Sequence, residues 1–184
     1  MSRRLLGNAL IVVTITLALS QGQADAQVKP FKIAGAGIAP SGLSVIPGVS
    51  APHYSIGVAT ELGNHTGAGF FQILDYTSPL TAHFSSAPYY VFTAANGDKL
   101  ACTYGVSSPG LVTLTPNSDG SFSATFIAEF NPVPSLSTGR FAKVTGGGFL
   151  MYAQSSPFFL IGTVSTPFFY TWEGEGTIEY SQGQ

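Results

Sequence analysis

Phe168–Tyr180 reads FFYTWEGEGTIEY, and its side chains alternate without a break. Tyr170, Trp172, Gly174, Gly176, Ile178 and Tyr180 fall on one face, and Thr171, Glu173, Glu175, Thr177 and Glu179 on the other. A period of two belongs to the β-strand, whose successive side chains point to opposite sides. The segment is therefore expected to be a long strand with one face against apolar neighbours and one in water. Gly174 and Gly176 on the apolar face leave room for a bulge, a bend or a bulky side chain from the next strand.

The same rhythm recurs upstream. In residues 121–130, Phe122, Ala124, Phe126, Ala128 and Phe130 share a face, and Asp119-Gly120 just before them is a chain-reversing pair. Residues 111–116 are the expected hairpin partner. Asn96-Gly97 joins residues 89–94 to 99–106, because Asn and Gly suit the positive φ of a tight type I′ turn. Residues 31–38, 54–62, 70–76, 141–153 and 158–164 complete the predicted strands. Residues 39–53 read as a Pro/Gly/Ser loop of the kind that crosses a barrel end. All 12 prolines, and every one of the 22 glycines except Gly7 and Gly22, follow residue 26, so few windows are long enough for an ordinary helix. Short strands with regular turn signals predict an all-β sandwich or barrel.

The first 26 residues read differently. Arg3 and Arg4 precede an apolar run over residues 9–19, and Ala24-Asp25-Ala26 is a small-x-small cleavage site. This order predicts a cleavable signal peptide over 1–26, a single domain over 27–184 and a secreted or periplasmic location. The run is shorter than the roughly 20 residues of a membrane span, so no stable span is expected after processing. Cys102 is the only cysteine, which leaves no disulfide framework; alternating with Leu100 and Tyr104, it reads as a small buried hydrophobe.

Composition narrows the function classes. Only 9% of residues are charged, and after residue 26 the basic ones are Lys29, Lys32, Lys99, Arg140 and Lys143. They form no patch, so neither nucleic acid nor anionic lipid is an expected partner. No Gly-x-Ser-x-Gly elbow occurs. Gly35-Ala-Gly37-Ile-Ala-Pro40 lacks the third glycine of a dinucleotide loop, and no Lys-Ser/Thr follows Gly148 to make a phosphate cradle. No cofactor is expected. His53, His65 and His83 stand beside turn or loop residues at irregular spacing and read as surface or satisfied histidines, with no structural zinc site. Glu173, Glu175 and Glu179 share a strand face. That spacing suits acid/base work or a cation, but Thr171 and Thr177 continue the same polar stripe, which favours a solvated face. The 14 Phe, 8 Tyr and single Trp either fill a barrel or line a pocket in it. For a pocket, Tyr104, Tyr170 and Trp172 are the expected lining, since each combines an apolar ring with one polar handle. No catalytic residue is assigned.

Three motifs carry a resemblance. Phe92-Thr-Ala-Ala-Asn-Gly-Asp-Lys-Leu100, Thr138-Gly-Arg-Phe-Ala-Lys-Val-Thr-Gly146 and Trp172-Glu-Gly-Glu-Gly-Thr-Ile178 resemble signatures of a broad group of small exported bacterial proteins. The Thr-Gly-x-Phe element is similar to one in dirigent proteins and allene oxide cyclases. The resemblance implies a calycin-like antiparallel barrel of about eight strands over residues 29–180. It also implies tight backbone geometry at Gly139 and Gly146 and a barrel plugged by Phe141. Where many relatives show Thr-His-Leu-Gly, this chain has Thr60-Glu61-Leu62-Gly63, and no role passes to that position. Three functional readings follow: a non-catalytic exported barrel that binds a small apolar ligand or self-associates as a homo-oligomer, a cyclase- or dirigent-like enzyme, and a cell-surface structural protein.

Overall fold

A computed structural model describes residues 26–182, and they form strands almost throughout. Apart from Ala26, the predicted signal peptide lies outside the described residues. In chain order the strands are β1 (Gln27–Ala39), β2 (Ser50–Ala59), β3 (Gly63–Ser78), β4 (Thr81–Ala94), β5 (Lys99–Tyr104), β6 (Gly110–Pro116), β7 (Phe122–Pro132), β8 (Val144–Ser155), β9 (Leu160–Ile161), β10 (Val164–Ser165) and β11 (Phe168–Tyr180). Two single-turn 3₁₀ segments, Pro134–Leu136 and Gly139–Phe141, separate β7 from β8. The described residues contain no α-helix.

The pairing order β3-β2-β1-β11-β8-β7-β5-β4 closes on itself through a β3–β4 ladder. β6 pairs with the same two neighbours as β5, β4 and β7. The two short strands thus share one position, and the result is a closed antiparallel barrel of eight positions. Closure leaves no long unpaired edge on the main sheet. Gly105, at φ +65°, ends β5 two residues before the predicted limit.

β11 runs between β1 and β8. Its Gly176 stands opposite Phe31 on one side and Phe149 on the other. The rings of Phe31 and Phe149 meet with centroids 4.7 Å apart, in the space a side chain at 176 would fill. The predicted role of this glycine, room for a neighbour's bulk, is what the packing shows. Phe31, Phe92, Leu100, Phe141, Phe149 and Ile178 are fully buried and form the centre of the core. Cys102 is buried among them, and burial pushes its thiol pKa up.

Two expected elements are corrected, and two further features are refined. Residues 50–53 belong to β2 instead of the predicted loop, which is confined to 40–49. Residues 158–164 form no single strand: Gly162, at φ +64°, turns them into the β9–β10 hairpin. The first half of β4, through Ser85 and Ser86, is a strand despite small polar residues, because both serines are buried against the core. In the Thr138–Gly146 motif Gly139 takes a positive φ; Gly146 does not, but it stands opposite Glu179 beside the β8–β11 register shift, and the positive φ falls on Gly147. Phe141 is fully buried, as the barrel plug should be, though it sits in a 3₁₀ turn ahead of β8.

The barrel has two distinct ends. One, the base, carries the connections 60–62, 95–98 and 133–143 and both termini of the described chain. The other, the crown, carries 40–49, 79–80, 117–121 and 156–167.

Candidate functional site

Two strands shape the upper half of the barrel interior. In β1, Gly35 and Gly37 lie opposite Trp172 and Tyr170 of β11. A methyl group on either glycine would run into those rings, so the bare backbone is what lets both aromatics lean across β1. In β2 the inward face is the small polar one, with Ala51, His53 and Ser55, while Tyr54, Ile56 and Val58 point outward. His53 is therefore delivered to the inside of the barrel.

There it meets hydroxyls on both sides. His53 Nδ1 is 2.9 Å from the Tyr170 hydroxyl and Nε2 is 2.9 Å from the Tyr104 hydroxyl. Tyr104 also donates to the carbonyl of Phe70 (2.9 Å) and Tyr170 to the carbonyl of Tyr54 (3.1 Å). Phe70 sits at a break in the β3–β4 register and opposite Pro52, which has no N–H to offer it. The Tyr90 ring lies against His53 with centroids 4.7 Å apart, and its hydroxyl pairs with Ser55 at 2.7 Å.

Proton counting shows what this cluster can do. His53 and the two tyrosines make four contacts, two between imidazole and hydroxyls and two from hydroxyls to carbonyls. A neutral imidazole and two phenols bring one proton fewer than the contacts require. One tyrosine must then divide its proton between the ring and a backbone carbonyl. An imidazolium would satisfy every contact, yet burial pushes the His53 pKa down to about 4. Burial prevails at neutral pH, because no carboxylate or other anion contacts the ring. The cluster is neutral there and can take up one proton without moving a heavy atom. Burial holds the tyrosines protonated, pushing Tyr90 to about 12 and Tyr104 and Tyr170 well above the ordinary phenol.

Beside the cluster is a cavity of about 80 Å³. Its wall includes His53, Tyr104, Tyr170 and Trp172 and is otherwise almost wholly apolar, with Phe84, Phe126 and Met151 among the lining. The three residues expected to line a pocket from sequence do line this one. About 10–15 Å³ admits one water, so the space suits a molecule of a few non-hydrogen atoms, and more where flexible Met151 gives way. Trp172 Nε1 and His65 Nε2 are buried without a hydrogen-bond partner among the described residues, their rings 5.8 Å apart. A second cavity of about 40 Å³ lies toward the crown, sharing Leu43, Phe71, Phe126 and Phe168 with the first.

His53 is the residue the sequence reading placed wrongly, on a loop. A signal was present: residues 51–59 alternate as cleanly as 168–180, with His53 in phase with Ala51 and Ser55. Glu173 and Glu175 are exposed on the barrel's outside, and Glu175 faces Lys32 at 3.7 Å. His83 pairs with Asp75 near the surface at 2.7 Å. Among the described residues no three His, Cys, Asp or Glu side chains converge as a metal site would need.

A half-buried histidine held neutral by its apolar surroundings makes acid stability a direct test. Above pH ~6.5 His53 is neutral folded and unfolded alike and contributes nothing. As pH falls from there toward 4, the unfolded chain gains a proton that the folded chain does not, so stability drops. With the folded pKa about 4, the full loss is about 3 kcal/mol. Urea midpoints at pH 7 and pH 4.5 should show this slope, and His53→Phe should flatten it. An equal slope in both proteins would place His53 in water.

No family model matches the chain, and neither does any curated protein or solved structure.

Proposed function

We propose that this barrel binds a small, mainly apolar molecule in the cavity beside His53, with one polar atom of the ligand directed at the His53–Tyr104–Tyr170 cluster. The supporting observation is a concave, mainly apolar space with His53, Tyr104 and Tyr170 among its lining, the usual form of a small-molecule site. The ligand is uncharged, because no side chain in the wall carries a charge at neutral pH. As read from residues 1–26, the barrel works outside the cytoplasm; N-terminal sequencing of exported protein should begin at Gln27, and protein retained in the cytosol with Met1 in place would count against export.

The binding test uses 4-fluorophenol, one ring with one hydroxyl, followed by fluorine NMR. Titration should broaden and shift the probe resonance. Ala153→Leu, which adds bulk to the cavity wall, should abolish the effect without lowering folding stability by more than about 1–3 kcal/mol. Equal signals with both proteins would move binding to the outside and end the proposal.

Two observations favour other readings. His53 between two phenols can accept and return a proton, which suits an enzyme that shapes a reactive intermediate, the cyclase- or dirigent-like alternative. Turnover of a bound ligand, lost in His53→Phe, would establish it. The outer face of β2 exposes Tyr54, Val58 and Ile56, the last 66% exposed, and no charged residue occurs from 33 to 60. That face suits self-association, which light scattering would reveal.

A further inference from the structure

The charges of this barrel are segregated along its axis. The base connections hold Glu61, Asp98, Arg140 and Lys143, joined by Lys29, Lys99 and Glu179 at the adjoining strand ends. Lys29 pairs there with Glu61 and Arg140 with Asp98. The four crown connections together hold one charged residue, Asp119, and the adjoining ends of β3 and β4 add the Asp75–His83 pair at 2.7 Å. What the crown exposes is apolar: Ile46, Val49, Phe159, Val164 and Ile161 on its loops, with Phe169 at the top of β11. Ile161 is 71% exposed and Phe169 65%, far beyond what a packed loop leaves open.

These loops are held in place. Val45 N–H donates to Thr163 O and Ser165 N–H to Leu43 O, which ties the 40–49 loop to the β9–β10 hairpin. Phe122 and Phe158 exchange backbone hydrogen bonds, and the Tyr76 hydroxyl donates to Val45 O at 2.7 Å. The apolar tips are therefore presented by an ordered platform, and little ordering entropy opposes their burial.

We infer that the crown docks on the neutral surface of a lipid bilayer, inserting Ile46, Phe159, Ile161 and Phe169 at the headgroup boundary. Charge complementarity decides the partner. The crown connections hold no lysine or arginine for anionic headgroups or an acidic protein, and His83 beside them already faces Asp75, so the complementary surface is an uncharged one with hydrocarbon beneath. Phenylalanine and isoleucine at the tips suit shallow insertion at that boundary. Its place in the fold argues against a second copy: Leu43, Val45, Leu80, Phe158 and Leu160 of the crown cover the upper cavity, and two crowns pressed together would seal it. A crown on a bilayer instead faces the phase in which an apolar ligand is dissolved. The polar base, where β1 begins at Gln27, then faces water.

The test uses residues 27–184, since the barrel closes among strands that begin at Gln27. This protein should float with phosphatidylcholine vesicles, and added salt should leave the bound fraction unchanged. Phe159→Asp with Ile161→Asp should lower the partition coefficient about tenfold or more while the urea midpoint stays in place, both side chains being exposed. Lys143→Glu at the base should change nothing. Three results would overturn the inference: wild-type barrel left in solution, the double variant floating like the wild type, or a wild-type dimer in light scattering that Ile161→Asp splits. No cavity ligand enters the experiment, so vesicle docking and cavity binding can each fail while the other stands.

Discussion

Phe92→Ala is expected to cost about 3–5 kcal/mol of folding stability. Phe92 is fully buried on β4, and its ring touches Tyr90, Phe130, Phe149, Trp172 and His65 with centroids between 4.9 and 6.3 Å. Those partners come from β3, β4, β7, β8 and β11, so this one ring links opposite walls of the barrel. Strand backbones cannot close in to refill the space, because the hydrogen-bonded ladders fix the circumference. The cavity left behind would also adjoin the one beside His53, whose wall includes Phe92. Urea unfolding followed by tryptophan fluorescence measures the loss. A change below about 1 kcal/mol would mean that the core is looser than the ring contacts show.

Gly176→Val should cost about 3 kcal/mol or more by the opposite route, overpacking. Even a Cβ at 176 would lie 2.6 Å from Phe149 Cα and 2.9 Å from Phe149 Cβ. The first of these is backbone and cannot rotate away. A valine would also separate the rings of Phe31 and Phe149. Gly176→Val is therefore expected to be hard to obtain folded at 37 °C, with Thr177→Val next to it as a mild control. A Gly176→Val protein with a wild-type urea midpoint would contradict the β1–β11–β8 register.

Much of this fold was legible because its strands obey a period of two and its turns use Asn-Gly and Asp-Gly. β11 and β7 lie where their alternation puts them. The limits of legibility are just as physical. In β2 the oily residues, Tyr54, Ile56 and Val58, face outward and the small polar ones face in. The usual reading of an alternating strand, apolar side inward, points the wrong way there, and it is on this strand that His53 enters the barrel. Gly35 and Gly37 look like a fragment of a dinucleotide loop in one dimension. In three dimensions they are the floor beneath Trp172 and Tyr170. Tyr104, Tyr170 and Trp172 were readable as lining because an aromatic with a polar tip suits a part-polar cavity. The histidine that joins two of them was not, since its partners lie 51 and 117 residues away in the chain.

The central claim is that His53 stands inside a closed barrel, neutral, between two tyrosine hydroxyls. Long-range proton–nitrogen NMR of the histidine ring reads this directly. The account predicts a neutral imidazole that stays neutral from pH 7 down to about 4, with both ring nitrogens shifted by hydrogen bonding. A ring that titrates near pH 6.5 like a free histidine would contradict it.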